Sequence, residues 1–114
     1  MIRILTTPIP LRELQMLADE SFGDFAKAVV DVRLGCLAIG GELHADGEAL
    51  LLEQGSRQDD LWGINLYPGL EGSEMVEFDS MINIRPGQGN RSRTVEDPAL
   101  RIRILALVQT FILK

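Results

Sequence analysis

A chain of 114 residues that is 46% apolar and 25% charged carries enough apolar material for one core, which excludes an extended disordered chain. A net charge of −6 excludes bulk electrostatic attraction to nucleic acid, and no apolar run reaches the roughly 20 residues of a membrane-spanning helix. The single cysteine, Cys36, excludes an intramolecular disulfide.

The expectation is one domain over residues 1–114, in the cytoplasm, because Met1-Ile2-Arg3-Ile4-Leu5 is too short for a secretory apolar region and a small secreted domain would often carry several cysteines. Ile2 to Leu5 reads as a first strand, closed by Thr6-Thr7-Pro8. Pro8 and Pro10 suit a helix entry, where a missing N–H costs nothing. Leu11, Leu14, Leu17 and Ala18 then recur at helical spacing, with Gly23 as a stop.

Ala28 to Val32 and Cys36 to Ile39 form a predicted hairpin around Arg33-Leu34-Gly35. Ala49 to Leu52, with Asp46 ahead as a cap and Gly55 behind as a stop, predict a short second helix. Ser56 and Asp59 resemble a capping box before one further turn. Ile64 to Tyr67 is a strand closed by Pro68-Gly69.

Residues 75–85 alternate. Val76, Phe78, Ser80, Ile82 and Ile84 fall on the core phase of a strand; Met75, Glu77, Asp79, Met81, Asn83 and Arg85 fall on the other. Ser80 and Met81 interrupt the pattern, which permits a bulge. Asp97 then caps a last helix with Pro98 at its first position. Leu100, Ile104, Leu107, Val108 and Phe111 follow at helical spacing, and Ile102, Leu105 and Ile112 widen the stripe beyond what one sheet face covers. A homodimer through that helix is the expectation. The order β-α-β-β-α-β-β-α predicts an α+β fold of two layers, a sheet with helices.

The stretches AIGGELHADGEALLLEQGSRQDDLWGINLYP and EFDSMINIRPGQGNRSRTVEDPALR make the chain resemble a family of small stand-alone prokaryotic proteins classed only as a domain of unknown function. The resemblance spans nearly the whole chain. It implies a self-contained intracellular domain and no activity, substrate or catalytic residue, so function has to come from the chemistry of the side chains.

That chemistry begins with a segregation of charge. Residues 1–84 hold five basic and 15 acidic side chains, whereas residues 85–114 hold six basic and two acidic. The basic end includes Arg85, Arg91, Arg93, Arg101 and Arg103, which either neutralise the acidic part or build a local anion site. Three groups of residues carry the functional reading. Glu42, His44, Asp46 and Glu48 share one side if extended, which suits proton transfer or a divalent metal; the plainer reading is a solvated acidic helix entry, and no spacing matches a zinc pattern. Asn83, Arg85, Asn90, Arg91 and Arg93 surround a Gly87-Gln88-Gly89 turn, where guanidinium groups and backbone N–H groups suit an anion, although the Lys-Ser/Thr of a phosphate loop is missing. Asn65 and Tyr67 share a polar sheet face with Asp79, Asn83 and Arg85, as a site or as a structural network.

The expectation is therefore a module or small enzyme for a small anionic ligand, bound by Asn83, Arg85, Asn90, Arg91, Arg93 and Asn65, with His44 as the proton-transfer group of a catalytic version. No metal, cofactor or membrane partner is expected, and nucleic acid could attach only through a local basic patch. The alternative is a non-enzymatic homodimeric interaction protein whose polar residues are structural.

Overall fold

Most elements follow the local apolar periodicity in a computed structural model that describes residues 1–114. Strand β1 is Ile2–Leu5, and a two-residue β2, Ile9–Pro10, leads into helix α1, Leu11–Asp19. Strands β3, Ala26–Asp31, and β4, Cys36–Gly40, make the expected antiparallel hairpin. Gly35 takes φ of 72° in its turn, a conformation that side chains with a Cβ disfavour. Helix α2, His44–Glu53, precedes β5, Leu61–Leu66, and the two-residue β6, Val76–Glu77. Helix α3, Pro98–Phe111, runs into β7, Ile112–Leu113.

The main sheet is antiparallel throughout, in the order β1-β4-β3-β5-β6. Strands β2 and β7 form a separate parallel pair that ties the C-terminus to the entry of α1. The α+β class is the one expected from sequence and the order of elements roughly matches, with β2 and β7 added, while helices on both faces replace the expected two layers by three.

The helices divide between the two faces of the sheet. Ala28, Val30, Leu37, Ile39, Ile64 and Leu66 pack under α1 and α3 in a core of 20 buried apolar residues that includes Leu14, Leu17, Ile104 and Val108. On the other face Val29, Ala38 and Leu61 meet Leu51 of α2 in a cluster of only four. The α2 side is therefore thin, and polar side chains gather where its cover ends.

Three further expectations change. The long strand over 75–85 reduces to Val76–Glu77, flanked by 3-10 turns at Gly72–Met75 and Met81–Asn83. Ser80 caps the second turn by accepting from the Ile82 N–H at 3.2 Å, and its own N–H donates to the Arg93 carbonyl. The chain rotates there and the burial phase slips, so Asn83 is fully buried while Ile84 is 39% exposed.

Helix α2 starts earlier than expected, at His44, so Asp46 lies inside its first turn and does not cap it. Ser56 likewise caps nothing: its hydroxyl donates to Asp31 Oδ2 at 2.6 Å. Asp97 does cap α3, accepting from the Ala99 N–H at 2.9 Å with Pro98 in the first turn.

Candidate functional site

The site is built around a missing side chain. Gly63 sits mid-strand in β5, and a Cβ there would lie 2.5 Å from Ser80 Cβ and 3.1 Å from His44 Cδ2. Glycine lets the start of α2 and the Ser80 segment both close onto the strand. Asn83 locks that closure, because its amide accepts from the Gly63 N–H at 2.8 Å and donates to the Gly63 and Arg93 carbonyls, each at 2.9 Å.

His44 opens α2 from an N-terminus that no side chain caps, and it is 7% exposed. Its Nε2 lies 2.8 Å from the Ile64 carbonyl, which can only accept, so Nε2 carries the hydrogen. Burial holds the imidazole below its ordinary value, and the Lys27 and Arg93 charges push the same way; the Ile64 hydrogen bond and Asp79 oppose them. His44 is thus neutral at neutral pH, with a bare lone pair on Nδ1.

Around it lies a cavity of about 150 Å³. Lys27 of β3, Leu43, His44, Ala45, Ser80 and Arg93 contribute to its wall, Met81 and Ile82 complete it, and no carboxylate lines it. Lys27 makes no ion pair, and its ammonium lies 5.4 Å from the centre of the Phe22 ring. Arg93 Nε meets Asp79 Oδ1 at 2.6 Å, a half-exposed pair that leaves the rest of the guanidinium free. In a surface setting such a pair contributes little and does not lock the side chain.

Lys27 also heads a polar row across the sheet, opposite Asn65 of β5, which is itself opposite Glu77 of β6. Asn65 donates to Glu77 Oε1 at 2.8 Å, and its Oδ1 is the one buried side-chain polar atom without a partner. Tyr67 donates to the same Glu77 oxygen at 3.1 Å, and burial followed by that acceptor pushes its phenol up.

The other expected ligand groups lie elsewhere. Arg85 donates to the carbonyls of Gln58, Leu61 and Ile82, and its guanidinium stacks 4.2 Å from the centre of the Trp62 ring. Asn90 donates to the carbonyls of Asn83, Ser92 and Thr94 and accepts from the Glu96 N–H. The Arg91 side chain is exposed and makes no hydrogen bond, while its backbone N–H and the Ser92 hydroxyl bind Glu96. The Ser92 hydroxyl, then that N–H, hold the Glu96 carboxyl below its usual range.

Of the arginines at 85, 91 and 93, only Arg93 shares a cavity with His44. The Glu42–Glu48 run does not converge either: His44 is buried while Glu42 and Asp46 face solvent, and no three His, Cys, Asp or Glu side chains are placed to hold a metal ion. Lys27 and Ser80 escaped the sequence reading. The available signal was one lysine inside Ala26-Lys27-Ala28-Val29-Val30, an otherwise apolar strand.

No helix is long and apolar enough to cross a membrane. No curated protein and no solved structure matches the chain. Residues 3–111 match a family described as "Protein of unknown function (DUF5674)". Since that match covers nearly all of the 114 residues, the chain belongs to the DUF5674 family.

Proposed function

We propose that this protein binds a small oxyanion in the cavity between β3, the start of α2 and the Ser80 and Arg93 segments. One observation carries the reading: in a chain of net charge −6, a cavity is lined by Lys27, His44, Ser80 and Arg93 and by no carboxylate. Lysine and arginine supply charge-assisted hydrogen bonds, and the uncapped first turn of α2 adds backbone N–H groups and the positive end of its dipole. A volume of about 150 Å³ lies below the roughly 300 Å³ at which pockets for drug-sized ligands begin, which favours a phosphate- or carboxylate-sized group. His44 is the group suited to proton transfer if chemistry follows binding. A cytoplasmic location belongs to the same proposal, supported by a single free cysteine.

The test is thermal unfolding with millimolar phosphate, sulfate and small carboxylates. A ligand that binds only the native state raises stability by about 2.7 kcal/mol at a hundred times its dissociation constant. Lys27→Ala and Arg93→Ala should each remove that rise while leaving the ligand-free melt nearly unchanged, since Lys27 has no ion pair and Arg93 only an exposed one. If no anion stabilises the native chain, the site is not an anion site.

A second reading is self-association through α3, where Ile102 is 69% exposed and Leu105 and Leu107 are half-buried. Near the end of that helix Met75, Val76, Leu105, Val108 and Ile112 line an apolar groove of about 300 Å³. The proposed occupant of this surface is a second copy of the chain.

A further inference from the structure

Among the side chains of the cavity one, His44, offers an acceptor that cannot turn into a donor, and that acceptor determines which oxyanion fits. The Cδ2–Nε2 edge of His44 lies against β5, with Cδ2 beside Gly63 and Nε2 on the Ile64 carbonyl. The Nδ1–Cε1 edge is opposite it on the ring and turned away from that strand. Nδ1 has no hydrogen-bond partner in the protein and, unlike Asn65 Oδ1, is not sealed from solvent, in a residue that is more than nine-tenths buried and lines the cavity. Because the Ile64 carbonyl fixes the hydrogen on Nε2, the neutral ring presents a lone pair and no donor at Nδ1.

An anion seated among Lys27, Arg93 and Ser80 therefore meets three donors and one fixed acceptor. An oxyanion with no hydrogen of its own sets an oxygen lone pair against the Nδ1 lone pair. An oxyanion that keeps one hydroxyl donates it there and satisfies every group.

We propose that the His44 cavity selects an oxyanion bearing one hydroxyl hydrogen, hydrogen phosphate or the monoanion of a phosphomonoester, over a fully deprotonated one of the same shape. The inference rests on the oxyanion-binding reading above and adds the identity of the anion. Sulfate could satisfy Nδ1 only by bringing a proton with it, and that means charging a buried ring that already has Lys27 and Arg93 beside it.

Hydrogen phosphate and sulfate form the deciding pair, because at pH 8 they share charge and shape and differ by one proton. Calorimetric titration of the whole chain at pH 8 should give phosphate at least about a tenfold tighter constant than sulfate, the cost of leaving unpaired an acceptor that the bound ion cuts off from water. In His44→Gln the ratio should fall toward one. His44 is the only histidine, so its ring nitrogens can be followed without ambiguity in the unaltered protein. Phosphate should shift the Nδ1 resonance as a neutral nitrogen gaining a hydrogen bond, and sulfate should not. This measurement holds even if the variant fails to fold. Equal binding of the two ions, or an Nδ1 resonance indifferent to phosphate, overturns the selectivity and leaves the anion site standing. Failure of both ions to bind overturns the site and the selectivity with it.

Discussion

Two residues show how single side chains set the site. Asn83 is fully buried and answers three backbone groups, the Gly63 N–H and the Gly63 and Arg93 carbonyls. An orphaned buried group costs about 1–3 kcal/mol, so Asn83→Ala should destabilise by roughly 3 kcal/mol or more. Urea unfolding gives the number, and a loss under about 1 kcal/mol would show that water replaces the amide. His44 sets the pH response. Its folded pKa lies below the unfolded value of about 6.5, so its contribution to stability is complete above that pH. As pH falls below it, the unfolded chain takes up a proton that the native chain refuses, and stability drops until the folded pKa is passed. The Glu96 carboxyl titrates in a lower window, and its contribution is lost only as pH falls through its own depressed value. Unfolding midpoints at pH 7.5 and 5.5 should therefore fall further for the wild-type chain than for His44→Gln; equal falls would mean the ring is not held neutral.

Among the elements, those set by local signals were legible. The β3–β4 hairpin, α1 and α3 follow apolar spacing, a turn glycine and a cap, all within a few residues of one another. Asp97→Ala should cost about 1 kcal/mol, the usual loss for a helix cap, with no change in the denaturant slope. In the 75–85 segment the alternation holds only from Val76 to Phe78, with Met75 buried against its phase, and is then overruled from a distance. Ser80 bonds to Arg93, and Asn83 to Gly63, both remote in sequence. The β2–β7 pair joins opposite ends of the chain and left no local trace. The site was half legible for the same reason. His44 and Arg93 stood out by chemistry but in separate groups, and only strand register brings Lys27 near them. Asn83, Arg85 and Asn90 carry the donors a ligand would need, yet the fold turns those donors onto its own carbonyls. Gly63→Ala tests how far the site depends on this meeting of elements. Its Cβ would sit 2.5 Å from Ser80, which overpacks by about 1–3 kcal/mol and lifts the Ser80 segment off β5. Phosphate stabilisation should weaken along with the melt; a variant with wild-type stability would show the segment to be loosely held.

At the scale of the whole molecule, charge and apolar surface oppose each other. Two chains of net charge −6 repel at long range. In the proposed dimer the attraction has to come from exposed apolar area, chiefly Ile102 and the groove beside Leu105 and Leu113. The balance predicts its own salt dependence. Screening shortens the repulsion, with a Debye length of about 10 Å at 0.1 M and about 3 Å at 1 M, while apolar burial is not weakened by salt. A dimer through α3 should therefore tighten as salt is added, opposite to one held by pairing the basic end of one copy with the acidic part of another. Sedimentation at tens of micromolar, between low salt and 0.5 M sodium chloride, separates the two cases by the sign of the change. Ile102→Asp should convert the dimer to monomer and, at concentrations where both chains are monomeric, should leave the melt within about 0.5 kcal/mol, because the side chain is 69% exposed. A chain that stays monomeric at every salt concentration has no α3 interface, and one whose dimer loosens with salt is held by its segregated charges.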